Sequence, residues 1–482
     1  MFDLRPVGYV VGLLVAMLGL TMFLPMLVDL VEGQGHWGTF FQSGLLTVIT
    51  GGLISLSCQS GNQEGLTIRQ TFVLTTGVWV ALPIFGALPF MLGETDLRFV
   101  DAFFEAMSGL TTTGSTVISG LDDLPRGILL WRGLLQWLGG IGIIVVAMVF
   151  LPELRVGGMQ IFRSEAFDTM GKILPRATAI SGQISVIYVG LTVACATTYF
   201  ILGMQPFDAI VHALTTVSTG GFSTYDASFG TFSGPLEYVA SVFMILAALP
   251  FVRYVQMVNG HATPLLKDSQ VRVFLATIAV LVFVFTFILT SIFPRHWEHS
   301  FREALFNITS IISGTGYASV DYMNWGSFIV TMFFFIGLIG GCAGSTACSV
   351  KIFRYQLLFS AVRRQIQTIR HPRGVFTLRY QGRAVGEDVL NSVMSFFVFF
   401  TVSMGLLAVG LGLTGLDFTT SMSGAATAIA NIGPGLGDII GPAGNFGPLN
   451  DTAKWLLIAG MLVGRLEIMA VYVLFTVQFW RS

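Results

Sequence analysis

The sequence predicts an all-α polytopic membrane protein, in which four repeated units surround a pseudo-fourfold axis after two extra N-terminal spans. Three observations predict it: the composition, the number of long apolar runs, and one loop pattern that recurs four times. Of the 482 residues, 54% are hydrophobic and 11% are charged, against about 25% charged in soluble domains. The net charge of −1 argues against nucleic acid as a partner.

Ten apolar runs are expected to cross the bilayer, which takes roughly 18 or more apolar residues. The first is too long for a signal-peptide core and lacks a clear cleavage site, so we expect it to be retained. In chain order the expected spans are Val7–Leu30, Gly38–Ser57, Gln70–Leu92, Gly127–Leu151, Gly182–Leu202, Leu236–Met257, Val271–Phe293, Gly326–Val350, Val389–Leu413 and Ala453–Phe479. They divide the chain into a two-span domain at 1–60, repeats at 70–152, 182–258, 271–351 and 389–482, and a basic cytoplasmic linker at 352–388.

Lysine and arginine are concentrated between the repeats, and the positive-inside rule therefore places those segments in the cytoplasm. The cationic residues between repeats are Arg155, Arg163, Lys172, Arg176, Arg253, Lys267, Arg272, Lys351, Arg354, Arg363, Arg364, Arg370, Arg373, Arg379 and Arg383. Fewer cations lie between the two spans of a repeat, namely Arg98, Arg126, Arg295, Arg302 and Lys454. The loops inside the repeats then face the outer side, and an even number of spans leaves both termini cytoplasmic.

Each repeat holds a short amphipathic segment and a Gly-rich loop between its two spans. The loops read SGLTTTGST, TTVSTGGFST, SIISGTGYAS and ANIGPGLG. The segments before them are too short to cross a bilayer, which is typical of re-entrant half-helices. In three repeats an acidic residue (Asp101, Asp208 or Glu303) lies 13 positions before a loop glycine, whereas Asp417 lies 18 before Gly435. We expect these carboxylates to cap the half-helices, with simple exposure at a span end as the alternative.

No charged residue lies inside the four aligned tetrads, which are Thr111–Gly114, Ser218–Gly221, Ser313–Gly316 and Ile432–Gly435. Non-helical backbone at membrane depth must be buried in protein or line a water-filled path. Glycine permits positive φ, so that successive carbonyls can point the same way and replace the hydration shell of a potassium ion. Uncharged loops favour a monovalent alkali cation over a divalent cation or an anion, and close helix packing is the alternative.

The tetrads and the residue before the fourth give the expected ion-binding set, with K⁺ as the only metal. The set is Thr111, Thr112, Thr113, Gly114, Ser218, Thr219, Gly220, Gly221, Ser313, Gly314, Thr315, Gly316, Asn431, Ile432, Gly433, Pro434 and Gly435.

At these motifs the sequence resembles the TrkH/TrkG branch of the Trk/Ktr/HKT superfamily of potassium transporters. The markers are DAFFEAMSGLTTTGST, GGFST, GGCAGST, NIGPGLG, and GRLE followed by a C-terminal FW pair. The resemblance runs nearly end to end and implies span–pore helix–filter loop–span repeats around one potassium pore in the bacterial inner (plasma) membrane. It also implies a homodimer and a cytoplasmic, nucleotide-binding TrkA-type regulatory ring. Gly340–Val350 reads GGCAGSTACSV and lacks the glycines that usually follow GGCAGST in the family. This departure bears on how flexible the segment is and not on the filter.

The second span of the third repeat is interrupted by glycines and small polar residues between Gly337 and Ser349. Discontinuous spans often line transport paths, and the resemblance makes this segment a mobile loop below the filter; a helix kinked for packing is the alternative. Arg465 lies inside the last span, where a cation costs at least ~2.5–3.5 kcal/mol. The resemblance makes it an electrostatic barrier, and a structural pair with a carboxylate is the alternative. The expected gate residues are Gly340, Gly341, Gly344, Ser345, Thr346 and Arg465.

The sequence leaves open whether the chain is a channel or a K⁺/H⁺ or K⁺/Na⁺ symporter, because both would use the same filter. An enzyme would need a clustered catalytic set such as HExxH on a span, and the sequence has none. A structural scaffold would have no reason to repeat the loop four times. We expect no organic cofactor, since the sequence has no P-loop. The basic run from Arg363 to Arg383 is either a solvated loop or a surface that docks the regulatory ring or anionic lipid.

Overall fold

The computed structural model describes residues 3–33, 35–59, 66–146, 158–159, 177–294 and 296–481, and no side chain of 177–180. Five cations of the orientation prediction lie outside the described residues, namely Arg155, Arg163, Lys172, Arg176 and Arg295. The end of the predicted span Gly127–Leu151 lies outside them too, from residue 147 onward.

Regular structure in the described residues is almost entirely helical. The α-helices are Arg5–Thr21, Phe23–Val31, Trp37–Ser57, Ile68–Gly86, Leu88–Leu92, Phe99–Leu110, Arg126–Val145, Ala177–Ile201, Pro206–Val217, Pro235–Ala247, Phe251–Val258, Thr263–Lys267, Ser269–Ile292, Trp297–Ser313, Ser327–Gly337, Ile352–Arg370, Glu387–Leu413, Phe418–Ala430, Asp451–Arg465, Ile468–Tyr472 and Val477–Arg481. Short 3₁₀ helices are Leu121–Asp123, Ser228–Thr231, Tyr322–Trp325 and Val473–Phe475. One two-stranded antiparallel hairpin pairs Arg379–Tyr380 with Arg383–Ala384.

Seven helices in the described part of the chain are long and apolar enough to cross a membrane, and two bent helix pairs raise the number to nine. The pair Pro235–Ala247 and Phe251–Val258 bends by 91°, and the pair Asp451–Arg465 and Ile468–Phe475 bends by 111°. The eighth predicted span, Gly326–Val350, contains a helix of only 11 residues. Helices therefore lie at all ten predicted positions, and two of the predicted spans, Leu236–Met257 and Ala453–Phe479, each contain a bend.

The bend in the second repeat is joined to the interrupted segment of the third, which we define as residues 338–351. Pro250 has no N–H to continue the helix, so the backbone groups around it need other partners. Thr346 Oγ1 donates to Ala247 O at 3.0 Å, and Phe251 N–H donates to Gly344 O at 2.9 Å. The bend in the second repeat and the interrupted segment of the third thus supply hydrogen-bond partners for one another's backbone groups.

The two N-terminal spans pack closely through glycine. A Cβ added to Gly12 or Gly51 would lie 2.5 or 2.4 Å from a backbone nitrogen of the facing helix, so only glycine permits this approach. Asp29, buried at the end of the first span, accepts from Gly127 N–H at 2.7 Å and pairs with His36 at 3.0 Å. This carboxylate ties the N-terminal pair to the first repeat.

Half-helices 1 to 4 precede the Gly-rich loops and are Phe99–Leu110, Pro206–Val217, Trp297–Ser313 and Phe418–Ala430. Asp101 and Asp208 lie in the first turns of half-helices 1 and 2, but neither caps a helix N–H. Asp101 pairs with Lys454 Nζ at 2.5 Å, and Asp208 accepts from Thr224 Oγ1 at 2.7 Å and Tyr225 OH at 2.9 Å. The prediction that they cap is wrong, because side chains from other segments take both carboxylates.

Half-helices 3 and 4 also differ from the predicted capping pattern. Half-helix 3 begins at Trp297, six residues before Glu303, so this carboxylate is too far inside the helix to cap it. Asp417, whose spacing set it apart, is the N-cap of half-helix 4 and accepts from Thr420 N–H at 3.1 Å. The matching spacing of the first three acidic residues therefore reflects the repeat rather than capping.

The basic linker differs from a simple loop. Its first half is the helix Ile352–Arg370, and the short hairpin follows it. Arg363 and Arg370 are exposed on this helix, and Arg364 pairs with Glu387 at 2.7 Å. The linker therefore presents Arg363 and Arg370 on a helical surface.

Candidate functional site

All four half-helices end in the same type of turn. Each is followed by a left-handed residue whose N–H donates to the carbonyl three positions back, as in a Schellman motif. These residues are Thr112 (φ 52°), Thr219 (φ 51°), Gly314 (φ 81°) and Asn431 (φ 52°). In the first, second and fourth, the next N–H reaches the carbonyl five positions back and completes the motif. Each loop therefore begins at the C-terminus of a half-helix, which is the partly negative end of the helix dipole.

The glycine two positions beyond each turn contacts the next loop. A Cβ added to Gly114 would lie 2.1 Å from a carbonyl oxygen of the second loop, and one added to Gly221 would lie 1.9 Å from a carbonyl oxygen of the third. A Cβ on Gly316 would lie 2.7 Å from Gly433 N, and one on Gly433 would lie 3.1 Å from Gly114 O. The loops therefore meet in chain order and close on themselves. We call these four residues the ring glycines.

The fourth loop joins this ring two residues earlier than the sequence alignment predicted. Asn431 holds its left-handed turn, and Gly433 makes the contact with the neighbouring loop. Gly435 lies instead against its own repeat, where its N–H donates to Ile440 O at 2.7 Å. The predicted tetrad Ile432–Gly435 is out of register with the other three, because both Gly433 and Gly435 can be aligned with the other loops and the sequence favours neither.

Each half-helix carries a buried polar side chain that bonds to the chain just beyond its ring glycine. The contacts are Glu105 with Val117 N–H (2.9 Å), His212 with Ser223 Oγ (3.0 Å), Asn307 with Ser319 N–H (3.2 Å) and Ser423 with Leu436 N–H (2.9 Å). Sequence analysis missed these residues. The first three lie nine positions before the ring glycine, and that spacing was the signal that could have identified them.

Two side chains from the helix Arg126–Val145 hold the first and second loops together. Arg132 donates to Glu105 Oε1 at 2.8 Å and to Ser223 O at 2.8 Å. Gln136 donates to Gly220 O at 2.6 Å. Both are buried, so these bonds are shielded from water and fix the loops relative to a spanning helix.

A cavity of about 200 Å³ opens on one side of the ring and is lined by all four ring glycines. Most of its other lining residues are Gly, Ser, Pro or apolar, and its charged lining residues are Arg132 and Asp226. In the described part of the chain, no three His, Cys, Asp or Glu side chains gather as a metal site would require. The arrangement offers uncharged oxygens rather than a ring of carboxylates.

The interrupted segment lies against the ring on the side of the left-handed turns. Cys348 Sγ is 3.8 Å from Thr112 Oγ1, and a Cβ added to Gly314 would lie 3.4 Å from Cys348 N. The predicted Gly340 and Gly344 both have positive φ, at 77° and 73°. The segment is therefore an irregular loop packed under the ring, rather than the kinked helix that was the alternative.

The other predicted residues of this segment are buried with it. An added Cβ on Gly341 would lie 2.5 Å from Ala347 Cβ. Ser345 Oγ donates to Cys342 O at 2.7 Å, and Thr346 bonds to the bend of the second repeat. These short local bonds hold a segment that has few regular backbone pairs of its own.

Arg465 is buried and contacts the interrupted segment. Its guanidinium donates to Cys348 Sγ and lies 3.5 Å from Thr346 O. Glu467, two residues further on, pairs with Arg354 instead. Among the described residues Arg465 has no carboxylate partner, so the structural ion pair considered from the sequence is not formed.

Comparison with known proteins identifies the family. A family model described as "TrkH: Cation transport protein" matches residues 36–481. The chain belongs to the TrkH family. This membership also confirms the expectation of a transporter rather than an enzyme.

Relatives of this TrkH-family chain are similar over their whole length. It is 43% identical over 479 residues to the Trk system potassium uptake protein TrkI of Halomonas elongata, covering 99% of this chain and 97% of the relative. It is 38% identical over 492 residues to Trk system potassium uptake protein TrkH of Vibrio parahaemolyticus, covering 99% of each. The crystal structure of the potassium transporter TrkH from Vibrio parahaemolyticus superposes with a TM-score of 0.91 at 34% identity, covering 100% of both chains. The predicted fold class is thereby confirmed.

Proposed function

We propose that this chain takes up potassium across the bacterial inner membrane as the translocation subunit of a Trk system. The relatives named above are described as potassium uptake proteins, and they match the chain from end to end. The observation that carries the proposal is the closed contact of four uncharged Gly-rich loops at the ends of four half-helices.

The ring is proposed as the selectivity filter. Its ion-binding residues are those of the first three tetrads, with Asn431, Ile432, Gly433 and Pro434 in the fourth loop. Backbone oxygens in such a ring can replace the hydration shell of K⁺, and the negative ends of four helix dipoles favour a cation there. Gly435 is no longer included, because it lies against Ile440.

The interrupted segment and Arg465 are proposed as the gate. The segment packs directly below the ring, and a buried cation there opposes the passage of another cation. Opening requires the segment to leave the bend at Pro250 and Arg465 to separate from Cys348. The positive φ of Gly340 and Gly344 supplies backbone conformations that favour glycine.

The repeat boundaries, the orientation and the partners complete the proposal. The repeats at 70–152, 182–258, 271–351 and 389–482 each contribute one loop to the ring, and both termini are cytoplasmic. The protein works as a homodimer and binds a cytoplasmic nucleotide-binding ring of the TrkA type. The helical basic surface of the 352–388 linker is the proposed docking face, because its exposed arginines suit an acidic partner.

The test is rubidium uptake into proteoliposomes with potassium or sodium as competitor. In Gly221→Ala the new Cβ would lie 1.9 Å from a carbonyl oxygen of the third loop, and φ of 78° is unfavourable for alanine. We expect the variant to lose the preference for potassium over sodium as competitor, or to lose uptake.

Gly77→Ala is the matched control, since nothing lies within 4 Å of an added Cβ there. It should retain wild-type selectivity and uptake. Unchanged discrimination in Gly221→Ala, with the protein folded and active, would contradict the filter assignment.

A further inference from the structure

A second, much smaller cavity lies beneath the ring, at the interrupted segment. Its volume is about 20 Å³, enough for one particle of the size of a water molecule or a small ion. Its lining residues come from three repeats and from the start of the 352–388 linker, and they are Ile143, Ala347, Cys348, Ser349, Lys351, Arg354, Phe396, Asn431, Gly464, Arg465 and Glu467.

The charged groups that line this cavity do not balance. Three are cationic, Lys351, Arg354 and Arg465, and one is anionic, Glu467. Glu467 is already paired with Arg354, whose guanidinium also stacks on Phe396 at 3.7 Å. Two positive charges remain in a buried space, and buried charges are normally paired.

Arg465 has unused donors at the same place. Its Nε and Nη2 groups are buried and have no hydrogen-bond partner among the described residues, and only 5% of the residue is exposed. The ring of Trp79 lies 5.8 Å from the guanidinium carbon and covers its face, which does not satisfy N–H groups in the plane. Donors of this kind, in a cavity of one-ion size, are complementary to an anion.

We propose that the cavity beneath the ring is a binding site for one small monovalent inorganic anion, with chloride as the physiological ligand. Arg465 donates to the anion through Nε and Nη2, and the Lys351 ammonium supplies the second positive charge. The anion offsets one of the two unpaired positive charges while the interrupted segment is packed under the ring, and the net positive charge that remains still opposes the passage of a cation.

A bound anion would stabilise the closed arrangement, in which the interrupted segment is packed under the ring. This consequence alone rests on the proposed function. A potassium ion that enters from the ring meets Arg465 with its anion still bound. The anion must leave or move when the segment withdraws, so halide binding favours the packed arrangement over the open one. Binding itself does not depend on transport and can be measured separately.

Two other occupants have different consequences. A water molecule could bridge Arg465 and the Asn431 Oδ1 acceptor, which also lacks a partner in the described residues, but it would leave both positive charges. A thiolate at Cys348, which already contacts Arg465, would supply a negative charge from the protein itself. Both are distinguishable from an added halide.

The experiment is anomalous diffraction from crystals of the full chain grown in bromide, together with thermal unfolding in gluconate or bromide at constant ionic strength. We expect a bromide peak between Arg465 and Lys351, and an unfolding temperature that rises with bromide concentration. Lys351→Met should lose both, whereas Cys348→Ser should keep both. Arg272→Met is the matched control for removal of an exposed cation elsewhere and should keep both.

Three results would overturn the site. They are the absence of an anomalous bromide peak between Arg465 and Lys351 in the wild-type protein, an unfolding temperature independent of halide, or a bromide peak that appears only after Cys348 is replaced. The last would identify the Cys348 thiolate as the native counter-ion. Because none of these readouts uses potassium flux, failure of the anion site is separable from failure of the potassium assignment.

Discussion

At the residue scale, the ring depends on positions where another chain segment occupies the space of a side chain. Gly114 and Gly221 each have a neighbouring carbonyl oxygen about where a Cβ would lie, at 2.1 and 1.9 Å. Sequence analysis explained the glycines at these positions by their freedom to adopt positive φ. The closer reason is steric contact between loops about a hundred residues apart, which no local pattern reveals.

The buried pair of Glu105 and Arg132 makes the first residue-scale prediction. Glu105→Gln leaves a guanidinium that is 1% exposed without its carboxylate. We expect a loss of about 3–5 kcal/mol in the free energy of unfolding, because one partner of a buried ion pair is removed. Thermal unfolding of the purified protein in detergent measures it.

Glu94→Gln is the control for this change, since Glu94 is exposed. It should shift the unfolding midpoint little. An equal loss in both variants would mean that the buried pair is not what stabilises the first loop.

At the element scale, the N-cap of half-helix 4 is testable alone. The hydrogen bond from Thr420 holds the pKa of Asp417 below its usual range. Asp417→Ala should cost about 1 kcal/mol near neutral pH through the lost cap. Because the folded pKa is depressed, this contribution is present above the unfolded pKa of about 3.9 and is lost as pH falls through the folded value.

Unfolding midpoints of wild type and Asp417→Ala from pH 7 down to pH 3 measure that loss, with exposed Asp438→Ala as control. The gap between wild type and Asp417→Ala should narrow only below about pH 4. A gap that is absent at pH 7 would show that the cap contributes nothing.

The joint between the two broken elements gives a second prediction at this scale. Thr346→Val removes the hydroxyl bond to Ala247 O and keeps the side-chain shape. A lost bond of about 1 kcal/mol shifts a two-state equilibrium roughly fivefold, so basal rubidium flux without a partner should rise by up to that factor. Flux is measured in proteoliposomes at equal protein content.

Thr277→Val serves as its control, because Thr277 is half-buried and its hydroxyl donates within its own helix, to Val273 O at 2.8 Å. It should leave basal flux unchanged. A rise of similar size in both variants, or none in Thr346→Val, would argue against the joint as a restraint on the interrupted segment.

At the scale of the whole molecule, the long apolar runs and the fourfold repeat of the loop pattern predicted most of the fold. Long apolar runs gave helices at all ten predicted positions, because burying backbone in lipid leaves the helix as the available structure. The bend at Pro250 and the docking of residues 338–351 could not be read locally, since each break is stabilised by the other. The register of the fourth loop failed for a similar reason, because contact with Gly114 and Gly316 selects Gly433 over Gly435.

The site was predicted less completely than the fold. Loop residues were visible because they recur, and Arg465 because a cation inside an apolar run is unusual. Glu105, His212, Asn307 and Ser423 differ in chemistry while sharing a position, so a search for repeated letters passes over them. Cys348 lies in the segment whose sequence departs from the resembled pattern, and its contact with Arg465 depends on the fold.

The central claim is that four loops form one ring that coordinates potassium. Anomalous diffraction from crystals soaked in rubidium, a substitute for potassium, tests it most directly. The account predicts rubidium peaks on the axis of the ring, within coordination distance of backbone oxygens from all four loops, and their loss when sodium replaces rubidium. Rubidium bound only elsewhere, or no ordered rubidium in protein that takes it up in proteoliposomes, would contradict the claim.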